Sequence, residues 1–175
     1  MTRSVLLFSW DYSPDCTVDE YFKLAHAFAE SSVLLFEGMS AGRAPATFHH
    51  AKAAATLFEH GLELFLKAAL GLVGHPIPRT HKMEQMLGTY RKRYPDKAYA
   101  FTGTIDDAVR DSAARPAGQF LRYPEDRNGV PWPGHVHFDL GIWLGETRRF
   151  RDDYRRLEPL LRERPSGPPA ERTCE

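Results

Sequence analysis

The sequence predicts an all-α fold: a bundle of four to five helices, with a short extended or hairpin-like insert before the last of them. Three observations carry that prediction. The stretch from Pro45 to Gly74 places apolar residues at helical spacing over most of its circumference, as a central, buried helix requires. Thr17-Val18-Asp19-Glu20 has the pattern of a capping box, in which a threonine hydroxyl and a glutamate carboxylate satisfy opening helix amides, and a periodic apolar run follows it. From Leu140 to Leu161 the apolar residues step by threes and fours along a single seam.

In chain order, Ser4 to Trp10 is a short apolar run that suits a buried strand or an extended arm. The helix opened at Thr17 turns Phe22, Ala25, Ala29, Ser32, Leu35, Phe36 and Met39 inward. Gly38, Gly42 and Pro45 supply the breaks before the central helix, so the first two helices are expected to be antiparallel neighbours. Polar residues of the central helix are confined to one line, Lys52, Thr56, Glu59, Glu63 and Lys67, with the last two spaced as an i,i+4 ion pair. A solvated face is expected there, with Glu63 and Lys67 partly exposed.

Gly71, Gly74, Pro76 and Pro78 end the central helix, and a third helix is expected from about Thr80 to Tyr94, with Met83, Met86, Leu87 and Tyr90 inward. Thr104-Ile105-Asp106-Asp107 is a second capping signature, opening a helix that Pro116 closes. Gln119 to Leu140 is rich in proline, glycine and aromatics, and Phe120 to Tyr123 and His135 to Phe138 suit short extended pieces. The final seam is Leu140, Trp143, Thr147, Phe150, Tyr154, Leu157 and Leu161, and Pro159 is expected to kink the helix or end it early. Its outer face carries Arg148, Arg149, Arg151, Arg155 and Arg156 with Asp152 and Asp153, neutralised by pairs such as Arg148 with Asp152. Residues 1–164 read as one domain, and 165–175, proline-rich and polar, as a disordered tail.

Composition bounds the function. At 175 residues and 42% hydrophobic, the chain has enough material for one proper core. Lysine plus arginine and aspartate plus glutamate balance at 23 each, so any attraction to nucleic acid has to be local. Cys16 and Cys174 lie near opposite ends and form neither a disulfide framework nor a zinc site, which points to the reducing cytoplasm. VLLFSW is cut off by Asp11 too soon for a signal peptide, and no apolar stretch approaches the roughly 20 residues of a membrane span, so no membrane partner is expected. No metal or cofactor is expected either. A di-iron bundle wants Glu-x-x-His, which the central helix lacks, and His135-Val136-His137 offers two ligands without a third.

Several short motifs succeed one another in a telling order. Glu63-x-x-x-Lys67, within LELFLKAALGLVG, is followed by a proline-containing loop, by Arg79-Thr80-His81 ahead of Met86-Leu87, and later by Leu121-Arg122-Tyr123-Pro124-Glu125-Asp126. Together they resemble the HEPN domains of prokaryotes, over Phe22 to Leu161. The resemblance implies an up-and-down bundle that forms a homodimer. It also implies one of two activities: a metal-independent endoribonuclease of a toxin-antitoxin or defence system, or a non-catalytic module that binds RNA, a nucleotide or a partner protein. A nucleotidyltransferase-type protein is the partner that a toxin-antitoxin pairing implies.

The family's ribonuclease motif is an arginine, a polar residue and, after a short interval, a histidine. Its nearest match is Arg127-Asn128 with His135, which arrives one residue beyond the family's spacing and across two prolines. The chemistry such a pair performs is clear: arginine stabilises charge on a phosphate while histidine takes the proton of an attacking 2′-hydroxyl. His137 shares a strand face with His135 and can substitute for it. Arg79, His81, Arg122, Tyr123, His137, Lys52 and Glu63 are the candidate binding residues. His81 is also expected to pin the turn before the third helix, and Arg91-Lys92-Arg93 with Arg79 and Lys82 forms a basic cluster that is either a solvated helix end or a phosphate contact. The displaced histidine favours holding a ligand over cutting it, with the composite Arg127/His135 ribonuclease as the alternative.

Overall fold

The computed structural model describes residues 17–78, 81–102, 128, 130 and 139–164. Four α-helices occur among these residues: α1 (Thr17–Ser40), α2 (Phe48–Leu72), α3 (Met83–Arg93) and α4 (Leu140–Glu163). A 3-10 turn at Lys97–Tyr99 follows α3, and the all-α prediction holds. The Ser4 to Trp10 run, the helix expected from Thr104, the tail, and the insert before α4 apart from Asn128, Val130 and Asp139 lie outside the described residues.

The α1–α2 hairpin is built on small residues. Gly42 takes φ 68°, a left-handed turn that glycine adopts without strain, and Arg43 N and Ala44 N both donate to Gly38 O. Thr47 then caps α2, its hydroxyl accepting from His50 N. The helices run antiparallel: Val18 meets Gly71, Gly61 meets Ala25 and Ala29, and Ser32 Oγ donates to Ala54 O at 2.8 Å. A methyl group at Gly61 would sit 3.2 Å from Ala25 O and 3.3 Å from Ala29 N, so the backbones approach as closely as they do because position 61 has no side chain. Every residue from Gly61 to Leu70 is buried, as a central helix requires. A Schellman motif closes α2, with Gly74 N donating to Gly71 O and His75 N to Leu70 O.

At α1 the predicted face holds for Phe22, Ala25, Ala29, Ser32, Phe36 and Met39, while Val33 replaces Leu35 among the buried residues. The capping-box expectation is modified, because Thr17 is already helical and the Glu20 carboxylate accepts from Lys23 Nζ at 2.7 Å. Lys23, one turn on, offers that carboxylate a charged donor.

Helix α4 packs antiparallel to α1 and parallel to α2. Phe150 stands edge-on to Phe58 and Phe65, and Tyr154 to Phe65, with ring centroids 5.5, 6.2 and 5.4 Å apart. Its arginines do not pair as expected. Arg148 crosses to Glu37 instead of bonding Asp152, and Arg155 to Glu30 and Arg162 to Asp19 repeat that link along α1, all at 2.6–2.7 Å. The early end at Pro159 is also corrected, since α4 runs on to Glu163. Leu157 and Leu161 are buried on either side of the exposed proline, and this two-sided packing outweighs the missing backbone hydrogen bond.

Helix α3 starts at Met83 rather than Thr80, with Lys82 as its N-cap, and buries the four residues expected. Tyr94 Oη donates to Ala69 O and Tyr90 Oη to Tyr99 O, so both buried hydroxyls find carbonyl acceptors. The segment after α3 is tied to α4 by Asp153, whose Oδ2 accepts from Thr102 N at 2.7 Å and whose Oδ1 accepts from Arg156. Arg156 also donates to Ala98 O and Ala100 O. Asp153 is therefore a buried anchor and not part of a solvated face. No helix among the described residues is long and apolar enough to cross a membrane.

Candidate functional site

The polar line of α2 ends in a buried ion pair. Glu63 and Lys67 are separated by one helical turn, which brings Lys67 Nζ to 2.8 Å from Glu63 Oε1. Their side chains are 5% and 10% exposed, so the expected solvated, partly exposed pair is corrected to a buried one. The segment after Gly74 is responsible. Ile77 lies beside Gly71, and His81 reaches Glu63 at the buried end of the polar line.

His81 Nδ1 stands 2.8 Å from the same Glu63 Oε1. Burial pushes the Glu63 carboxyl toward higher pKa, but the hydrogen bond and charge of Lys67, and then those of His81, outweigh it and hold the group below its ordinary 4.5. An ionised carboxylate can only accept, so Nδ1 must carry the proton. In the neutral imidazole Nε2 is then an acceptor, on a side chain that is 65% exposed. His60 completes the surroundings: its Nδ1 lies 3.8 Å from Glu63 Oε2 and its ring meets Phe28 edge-on. The arrangement is a buried ion pair that orients an exposed imidazole, and His81 pins the turn before α3 in accord with the sequence expectation.

The opening of α3 adds to this corner. Lys82 occupies its N-cap, and a lysine side chain, being donor-only, cannot accept from the first amides of the helix. Helix N-termini attract anions through such amides and the helix dipole, and here an exposed lysine and an oriented histidine flank them.

Of the other candidates, Lys52 lies on the same face of α2 but eleven residues before Glu63, about 16 Å along the axis, so the two do not share a site. Burial pulls the Lys52 ammonium below its ordinary 10.5. Asn128 is exposed in a turn. Arg79, Arg122, Tyr123, Arg127, His135 and His137 lie outside the described residues. The part of Lys67 was missed as a site residue, although its signal was present: an i,i+4 charge pair embedded in Leu62, Leu64, Phe65, Leu66 and Ala68 has apolar neighbours on both flanks. Comparison of the chain with protein-family models, with characterised proteins and with solved structures found no match.

Proposed function

We propose that this chain is a HEPN-like helical module that binds a phosphate-bearing ligand, single-stranded RNA first of all, at the corner where His81 meets the N-terminus of α3, and that it does so as a homodimer. The observation that carries the reading is the Glu63–His81 hydrogen bond. It joins Glu63 of the Glu63-x-x-x-Lys67 motif to His81, the described residue of the second motif that carries the resemblance, and it orients the imidazole that His81 offers to a ligand. Lysine and helix amides donate to phosphate oxygens, the Nε2 acceptor of neutral His81 suits a ribose 2′-hydroxyl beside them, and a chain with no net charge needs such a local site to hold a phosphate. The homodimer rests on the family resemblance.

Purified protein incubated in EDTA with fluorescein-labelled single-stranded RNA tests the reading. Binding that weakens with salt, with the RNA left intact, supports it. Cleavage to 2′,3′-cyclic phosphate ends, lost on Arg127→Ala or His135→Ala, would establish the ribonuclease alternative. A nucleotide or a nucleotidyltransferase-type protein bound in place of RNA would change the ligand class. Light scattering over a range of concentrations tests the dimer, and a monomer at every concentration removes it.

A further inference from the structure

The outward face of α3 carries polar and cationic residues in a line. At 100° per residue, Gln85, Gly88 and Lys92 lie opposite buried Met83, Met86, Leu87 and Tyr90; Lys82, Thr89 and Arg93 flank them on one side, and Glu84 and Arg91 on the other, so the stripe Lys82, Gln85, Thr89, Lys92 and Arg93 runs beside Glu84, the one carboxylate of this helix. It begins beside His81 and runs about 16 Å to the last turn of the helix. Beyond it, Lys97 in the 3-10 turn and Arg164 just after α4 add two more cations, and Arg164 lies over the Tyr94 and Tyr99 rings at 4.9 and 5.7 Å.

Lys92, Arg93, Lys97 and Arg164 differ from the arginines of α4. All six arginines of α4 bond to carboxylates, on α1 or on their own helix. Lys92, Arg93 and Lys97 are exposed and have no carboxylate partner among the described residues. Arg164 donates to a carbonyl, Arg93 O. From Lys82 to Lys97, with Glu163 and Arg164, six cations (Lys82, Arg91, Lys92, Arg93, Lys97, Arg164) face three carboxylates (Glu84, Asp96, Glu163) in a chain that is neutral as a whole. Cations in the last turn complement the helix dipole. That explanation covers Arg91, Lys92 and Arg93 but not Lys97 or Arg164, which belong to other elements.

We infer that a single strand of RNA lies along the outward face of α3, from His81 to a second phosphate-contacting zone formed by Lys92, Arg93, Lys97 and Arg164. The inference rests on the RNA-binding reading and extends it from one corner to a track. Gln85 and Thr89 supply neutral polar groups between the two cationic ends, and the strand passes on the side of them away from Glu84.

Fluorescence anisotropy of a short fluorescein-labelled uridine oligomer, titrated over a series of salt concentrations, tests it. Each phosphate contact on a single strand contributes about 0.7 to the slope of log K against log salt. The Lys92→Ala/Arg93→Ala/Lys97→Ala variant is expected to flatten that slope by about 2. Thr89→Glu, which puts a carboxylate on the surface of the stripe without touching the core, is expected to weaken binding at low salt and to lose its effect at high salt. A triple variant with unchanged slope, while His81→Ala still weakens binding, overturns the track and leaves the corner site standing. Wild-type protein that ignores the oligomer overturns both, and if it binds polyglutamate instead, the stripe belongs to an acidic polypeptide.

Discussion

The Glu63 carboxylate and the His81 imidazole, eighteen residues apart in the chain, share a 2.8 Å hydrogen bond that fastens the entry of α3 to the middle of the central helix. Lys67 bonds the same oxygen from within the core, so Glu63 is the hub of the group. Removing one partner of a buried ion pair leaves the other charge uncompensated, which typically costs about 3 to 5 kcal/mol. Glu63→Ala is expected to fall in that range in chemical denaturation, and a loss of a few tenths of a kcal/mol would show the pair to be solvated after all. Acidity offers a second check. Because the folded pKa of Glu63 lies below the ordinary 4.5, its stabilisation is complete above that value and is lost as pH falls through it toward the lowered one. The difference in Tm between wild type and Glu63→Gln should therefore narrow below about pH 4.5.

Gly61→Ala probes the closest approach of α1 and α2. Alanine favours a helix by about 0.8 to 1.0 kcal/mol over glycine. The added methyl, however, would press on the α1 backbone at Ala25 O and Ala29 N, which has no rotamer to turn away. Overpacking of this kind costs about 1 to 3 kcal/mol, so a lower Tm is expected. A higher one would mean that the helices separate freely at this crossing.

Asp153→Asn should loosen the 97–102 segment without unfolding the bundle. The substitution removes the charge that Arg156 and the Thr102 amide both address, at a cost of about 1 to 3 kcal/mol. Hydrogen exchange at the Thr102 amide reports it directly: faster exchange is expected, and an unchanged rate would place the anchor elsewhere.

Pro159→Ala is expected to stabilise. The proline sits exposed within α4, and alanine would restore an amide donor while the Leu157 and Leu161 contacts stay in place. Interior helix proline costs about 3 kcal/mol, so the gain should reach that order at most. A fall in Tm would reveal a favourable role for the proline ring.

Helix existence was legible because it derives from local pattern. The central helix, the α3 core residues and the α4 seam all came from spacing alone. Charge partners were not, because they depend on which helix lies opposite. Arg148 had Asp152 available at i+4 and chose Glu37 across the interface, a contact no spacing within α4 encodes. Burial of Glu63 was hidden for the same reason: the line Lys52 to Lys67 is uniformly polar, and only the returning segment with Ile77 and His81 makes its last turn an interior. Pro159 misled because a local rule was overridden by tertiary packing on both sides of it.

The measurement that bears most directly on the site is the affinity of single-stranded RNA for wild type, Glu63→Gln, His81→Ala and the double variant. If Glu63 acts through His81, the two single variants weaken binding by similar factors and the double variant is little worse than either, because the second change removes a link already broken. Glu63→Gln must also remain folded by circular dichroism, so that lost affinity reports lost orientation and not lost structure. Losses that multiply in the double variant, or a His81→Ala protein that binds RNA as tightly as wild type, would contradict an oriented His81 as the ligand contact.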